Sequence, residues 1–144
     1  MILEDGDVKL TLTNDRSYFY KLAKENKYTQ GKVKNIILSI PYIKYLWVGE
    51  YQGIRGGVIY LSELPIFWTM DAYKEDKLLK ELNPQGDFSY RAGKLVSDWY
   101  FKNIGKTLRV APNTINRGAI LVAKRLGFEF ETTIEDFTIL KRDA

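Results

Sequence analysis

The sequence predicts one domain of mixed α/β (α+β) class over residues 1–144, with a mixed, mostly antiparallel central sheet flanked by helices in the order βααβββαβαββ. Three observations carry that expectation. The 144 residues, 45% hydrophobic and 14% aromatic, supply apolar surface for a sizeable core, and no linker or internal repeat divides them. Along the chain the hydrophobic period switches between about 2 and about 3.6 residues, the signatures of strand and helix. The strand-like runs in the middle are joined by connections too short for the crossover that a parallel pair needs.

Val8, Leu10 and Leu12 alternate with Lys9, Thr11 and Thr13, which predicts a half-buried first strand. Asn14 and Asp15 are helix-capping types, and behind them Tyr18, Phe19, Leu22 and Ala23 fall on one helical face. Gly31 interrupts that face. Val33, Ile36, Ile37 and Ile40 resume it until Pro41, which disfavours helix at the residue before it. Three runs follow, Tyr45 to Glu50, Gly57 to Leu61 and Ile66 to Asp71, rich in side chains that suit a pleated surface. Tyr51 to Gly56 and Ser62 to Pro65 separate them, so they read as an antiparallel meander. Ala72 to Asp87 is polar, with Leu78, Leu79 and Leu82 marking at most a short amphipathic stretch. Ala92, Leu95, Val96 and Trp99 then predict a core-facing helix closed by Gly105, and Thr107 to Val110 a short strand. Ala119, Ile120, Ala123 and Leu126 repeat the helical stripe up to Gly127, and Phe128 to Thr133 and Phe137 to Leu140 end the chain as strands.

The chain has no cysteine and no histidine, which excludes a disulfide framework, a thiol nucleophile, a Ser-His-Asp triad and a structural zinc site. Acid and base roles fall to Asp, Glu, Tyr, Lys or a terminus. The first residues are acidic where a secretory signal is basic, and no apolar run reaches the roughly 18 residues of a membrane helix, so a soluble, cytoplasmic protein with no membrane partner is expected. Of the net charge of +4, a disproportionate share lies between Arg16 and Asn35, where Arg16, Lys21, Lys24, Lys27, Lys32 and Lys34 face only Glu25. Two readings stand, a solvated helix face and an electrostatic footprint for an acidic partner.

The element order, together with Asn116-Arg117-Gly118-Ala119-Ile120-Leu121-Val122-Ala123-Lys124-Arg125-Leu126-Gly127-Phe128, resembles the GNAT superfamily of N-acetyltransferases. That family's late helix carries Asn, Ala three residues on, and Gly-Phe at eleven and twelve, and all four positions match. The resemblance implies transfer of an acetyl or other acyl group from acyl-coenzyme A to an amine by direct attack. It implies that the fourth and fifth strands, here Ile66 to Asp71 and Thr107 to Val110, splay apart. The cofactor would then meet the fourth-strand backbone at Trp68, Thr69 and Met70 and the motif residue Asn116. The pyrophosphate would lie at the following helix N-terminus, where unpaired amides favour anions. The family's Gln/Arg-x-x-Gly-x-Gly/Ala loop is not reproduced. Its best substitute is Gln85-Gly86-Asp87-Phe88-Ser89-Tyr90-Arg91, in which Gly86 offers backbone, Ser89 a hydroxyl and Arg91 a phosphate partner, while Asp87 repels. For Arg91 the other reading is a surface arginine on the first helical turn.

Many relatives place a tyrosine acid seven residues after the motif Asn, where this chain has Ala123. Tyr90 and Tyr100 are the nearest substitutes in sequence, against a packing role for each. For the base, strand-borne Asp71 ranks first and Glu50 second, each against a solvated strand end. Trp47 and Trp68 read as core, with shaping of the acceptor cleft as the alternative. The rival to an enzyme is an inactive relative that binds protein or nucleic acid, motivated by the degenerate loop and missing tyrosine, and a base-modifying enzyme on the same scaffold is a third reading. Tyr18, Phe19, Tyr20 and Tyr28 beside lysines would serve single-strand binding if they shared a groove. An unpaired sheet edge leaves a homodimer open.

Overall fold

The computed structural model describes residues 1–26, 40–75 and 87–144. Its strands form one eight-stranded sheet ordered β1-β2-β3-β4-β5-β6-β8-β7, antiparallel everywhere except between β5 and β6. β1 (Ile2–Asp5) and β2 (Val8–Leu12) make a hairpin in which Asp5 faces Val8 across the Gly6-Asp7 turn, with Gly6 at φ 57. Only Val8 and Leu10 were readable by alternation; β1 was not expected, since its exposed residues give no period. The Asp-Gly dipeptide was its one local signal.

α1 (Ser17–Glu25) is held at its start by Asp15, whose carboxylate accepts the Ser17 amide at 2.9 Å. Its buried Tyr18, Phe19, Leu22 and Ala23 pack on one face of the sheet against Ile43, Leu46, Val58 and Tyr60. β3 (Ile43–Tyr51) and β4 (Ile54–Glu63) are longer than their apolar runs suggest and meet at a two-residue turn, Gln52-Gly53, with both φ positive at 52 and 78. That turn matches the right-handed twist of the two strands. β5 (Trp68–Lys74) starts two residues late and ends three residues past Asp71, because its ladder with β4 continues to Gly57↔Lys74. Ile66 is 87% exposed and belongs to the connecting turn.

On the opposite face lie α2 (Asp87–Asn103) and α3 (Arg117–Arg125). α2 begins a turn before the expected Ala92, since Phe88 extends the buried stripe of Ala92, Val96 and Tyr100 by one step. Val8, Leu10, Trp47, Leu61, Met70, Leu108, Phe128 and Leu140 join that stripe in the larger core, and burial of each large side chain contributes about 1.5–3 kcal/mol. β6 (Thr107–Val110) carries the chain to α3, and β8 (Phe137–Asp143) inserts between β6 and the edge strand β7 (Glu129–Ile134). The expected second helix, from Val33 to near Ile40, lies outside the described residues except for Ile40, which opens a short 3-10 turn over Ile40–Tyr42, and Leu78, Leu79 and Leu82 lie outside them too.

Candidate functional site

The only register pair of the β5–β6 ladder is Thr69↔Arg109. Beyond it the two strands have different neighbours, β5 continuing along β4 and β6 along β8. The backbone edge of β5 from Met70 onward therefore has no strand partner on the β6 side among the described residues. Unpaired strand backbone is a row of donors and acceptors available to a ligand.

Side chains of β5 alternate about that edge. Trp68 and Met70 point to the α2 face, where Trp68 meets Tyr100 at 5.9 Å between ring centroids and Met70 is buried in the larger core. Their side chains are packing, which leaves only their backbone for a ligand. Trp47, fully buried against Trp99, belongs to the same core. Thr69, Asp71 and Tyr73 point to the α1 face. There Asp71 stands directly across from Tyr60 of β4, and Phe19 of α1 packs edge-on to Tyr60 and Tyr73 at 5.2 and 5.7 Å. This setting makes the carboxyl hard to ionise: burial pushes it up from 3.8 to about 6, while a hydrogen bond from the Thr69 side chain opposes the shift. Tyr60, fully enclosed and close to that carboxylate, is held well above the ordinary phenol value.

Glu50 is not part of this cluster. It faces Lys9 on β2 and Arg55 on β4, and Arg55 lies five positions along β4 from Tyr60, roughly 17 Å at strand rise. The structure thus separates the two expected carboxylates and, of the two, leaves Asp71 on the strand that borders the opening.

At the N-terminus of α2, Ser89, Tyr90 and Arg91 are half-buried helical residues, not loop residues; Gln85 and Gly86 lie outside the described residues. Arg91 is already engaged: its Nε donates to the Asp5 carboxylate at 3.1 Å, its Nη2 donates to the Asp5 carbonyl, and its Nη1 lies 3.8 Å from the Asp87 carboxylate. It ties α2 to the β1–β2 hairpin. Tyr90 lies under the guanidinium of Arg125, 4.0 Å from the ring centre, which joins α2 to α3. Tyr100 donates its hydroxyl to the Thr107 carbonyl at 2.6 Å inside the core, so it has no proton to offer the opening.

Asn116 accepts the Ala119 amide at 3.2 Å and so caps α3. Its spacing to Ala119 is the N-cap to N3 spacing, which explains two of the four motif positions. Gly127 and Phe128 explain the others. Gly127 takes φ 92 and its amide bonds the Lys124 carbonyl at 3.0 Å, while the Phe128 amide bonds Ala123 at 3.0 Å and the ring drops into the core. This is a Schellman closure, in which a residue with a side chain is strained at the glycine position. Ala123, where a tyrosine acid was missing, is buried in the core.

Sequence reasoning missed the residues that surround Asp71. Tyr60 and Ser62 become its neighbours through the β4–β5 register, in which Ser62 faces Thr69. Arg109 stands beside Thr69 and grips Glu131 with two bonds of 2.9 and 3.0 Å. Only the register of the hairpin, counted outward from its turn, could have found the first pair. The proposed single-strand groove is not formed: Tyr18 and Phe19 are core residues, Tyr20 packs against them, and Tyr28 lies outside the described residues. Among the described residues no acidic cluster could hold a metal, and no helix is long and apolar enough to cross a membrane.

No protein-family model matches the sequence, and no curated protein matches it at a significant level. Solved structures do resemble the fold. RimL, a ribosomal L7/L12 alpha-N-protein acetyltransferase solved with coenzyme A, aligns with a TM-score of 0.72 over 99% of this chain and 98% of its own, at 14% identity. Campylobacter jejuni N-acetyltransferase PseH in complex with acetyl coenzyme A aligns at 0.63 over 94% and 98%, with 15% identity. A GNAT family acetyltransferase from Bacillus anthracis aligns at 0.66 over 98% and 96%, with 10% identity. The sequences have diverged while the fold is kept, and this protein has the fold of the GNAT N-acetyltransferases.

Proposed function

We propose that the chain is an acetyl-coenzyme A-dependent N-acetyltransferase acting on a primary amine, with Asp71 as the base. The observation that carries this reading is the β5–β6 opening with one partly buried carboxyl beside it. The opening suits an extended amide-bearing arm, because the β5 edge past Thr69 offers unpaired backbone N–H and C=O groups. When bound, acetyl-coenzyme A supplies an acetyl group activated as a thioester. Asp71 takes one proton of the acceptor ammonium; the freed nitrogen lone pair attacks the thioester carbonyl, the C–S bond breaks as the C=O bond re-forms, and the nitrogen gives its surplus proton to solvent. Because its carboxyl titrates near 6, Asp71 is largely ionised at neutral pH and better matched to an amine proton than an ordinary aspartate. Backbone N–H groups of the β5 edge are the donors for charge developing on the carbonyl oxygen. A thiol with a pKa of roughly 8.5 leaves without a dedicated acid, and solvent supplies its proton.

Lys21 and Lys24, exposed on α1 on the same side of the sheet as Asp71, favour an acidic acceptor, although Lys21 shares its charge with Glu75 at 3.5 Å. The second reading, a non-catalytic binding module, draws support from Arg91, whose bonds to Asp5 remove the expected phosphate partner. Release of free thiol from acetyl-coenzyme A, measured with a panel of amine-bearing peptides and small amines, separates them. Acceptor-dependent release supports transfer; none with any amine, from protein that binds the cofactor, favours the module.

A further inference from the structure

The sheet consists of two half-sheets, β1 to β5 and β6-β8-β7, that share the single register pair Thr69↔Arg109. On the α2 face the halves are tied through the larger core, where Tyr100 of α2 meets Trp68 and bonds the Thr107 carbonyl. Leu108 and Val110 point into that core, so Arg109 between them points to the α1 face. There its guanidinium lies over the ring of Phe67, the residue before β5, 4.9 Å from the ring centre. Both carboxylate oxygens of Glu131 on β7 grip the same guanidinium at 2.9 and 3.0 Å. Arg109 and Glu131 are separated by β8, roughly 10 Å across two strand spacings, and they meet beside Lys141, whose Nζ is 3.9 Å from the Glu131 carboxylate. Glu131 is the residue that the β7–β8 ladder skips, since Phe130 pairs with Leu140 and Thr132 with Ile139. A bulge of this kind re-aims a side chain.

We propose that Glu131 is a positioning residue for the opening between β5 and β6: by holding the Arg109 guanidinium on Phe67 it clamps the closed end of the opening and fixes the spacing at which the β5 edge beyond Thr69 meets acyl-coenzyme A. The clamp deepens the acetyl-transfer reading above and rests on it for its catalytic meaning. Two parallel bonds to one carboxylate leave a guanidinium that is 22% exposed a single orientation, where a free one would turn to solvent. Arginine is needed for its shape: the fork meets the carboxylate and the flat face meets the ring, and lysine keeps the charge but loses both. Lys141, directly beside Arg109 on β8, repels it, and the Glu131 carboxylate offsets that repulsion, with Asp143 also 3.9 Å from the Lys141 ammonium. Because one register pair joins β5 to β6, no longer ladder takes over when the clamp is lost, whereas β3 and β4 are paired along their whole length.

The test uses the whole chain in two arms. Without cofactor, amide hydrogen exchange followed by NMR reads local opening in wild type, Glu131→Gln, Arg109→Lys and Phe67→Leu. An exposed bidentate pair changes an opening equilibrium by at most about fivefold, so amides of Thr69 to Asp71 and Leu108 to Val110 exchange about three- to fivefold faster in the variants, while those of the β3–β4 ladder keep their wild-type rates. With cofactor, calorimetric titration finds coenzyme A bound about three- to fivefold more weakly by Glu131→Gln and Arg109→Lys, and in the active enzyme the KM for acetyl-coenzyme A rises by that factor while kcat is retained. Asp98→Asn, which breaks the exposed Lys94–Asp98 pair of 2.7 Å on α2, changes neither. Unchanged exchange, or exchange faster by the same factor in both ladders, overturns the clamp, and so does an affinity in Glu131→Gln no weaker than in Asp98→Asn. If wild type binds no coenzyme A, the cofactor reading fails and the exchange arm decides the clamp alone.

Discussion

Replacement of Asn116 by alanine removes the one side-chain acceptor that satisfies an N-terminal amide of α3, that of Ala119 at 3.2 Å. Loss of such a cap costs about 1 kcal/mol, and for a chain of this size that lowers the melting temperature by about 3 °C. Serine and aspartate cap nearly as well as asparagine, and aspartate also favours the positive end of the helix. Asn116→Ser and Asn116→Asp should therefore stay within a few tenths of a kcal/mol of wild type. Asn113→Ala is the control, since the Asn113 side chain accepts the Ile115 amide in an exposed turn and caps no helix. Urea unfolding followed by circular dichroism gives the free energies, and titration with coenzyme A on the same samples gives affinities. If the cap is the whole role of Asn116, affinity follows stability and serine rescues both. Asn116→Ser as unstable as Asn116→Ala, or Asn116→Ala as stable as wild type, would refute the reasoning.

Three further outcomes are expected. Asp71→Asn lowers turnover with little change in coenzyme A affinity, and wild-type kcat/KM falls as pH drops through about 6, where the carboxyl gains its proton; an unchanged rate and acidic limb would exclude Asp71. Folded Asp71 binds its proton more tightly than the unfolded chain, at about 6 against 3.8, so its ionisation costs stability: the cost is absent below pH 3.8, grows between there and about 6, and is complete above. Thermal melts should thus find Asp71→Asn more stable than wild type at pH 8 and no more stable at pH 3.5. For Arg91, a double-mutant cycle with Asp5→Ala should give a coupling of at most about 1 kcal/mol and Arg91→Ala should leave coenzyme A affinity unchanged; a loss of affinity larger than the loss of stability would place Arg91 on phosphate.

The legible parts of the fold were those with strong local patterns. α1, α3 and the meander follow from periodicity, and Asn116 with Gly127-Phe128 follows from spacing because capping is local. β1 was illegible because all its residues but Leu3 are exposed and they owe their strand to pairing with β2. The start of α2 was misplaced because Phe88 counts as helical only once Tyr51 and the sheet are there to pack on. Asp71 was legible as a strand-borne carboxylate, but its depth was not, since the side chains around it come from α1 and β4. Glu50, the second choice in sequence, is distant in space for the same reason: strand register is not a local property. Arg91 shows the converse, a residue type suited to phosphate whose partner, Asp5, lies at the far end of the chain.

If the opening between β5 and β6 takes an acyl-coenzyme A, calorimetric titration of the chain with acetyl-coenzyme A and with coenzyme A will register it. Both should bind saturably at one site per chain, more weakly as salt rises because the pyrophosphate end is anionic. Absence of binding heat at several temperatures, from protein that is folded by circular dichroism, would contradict it.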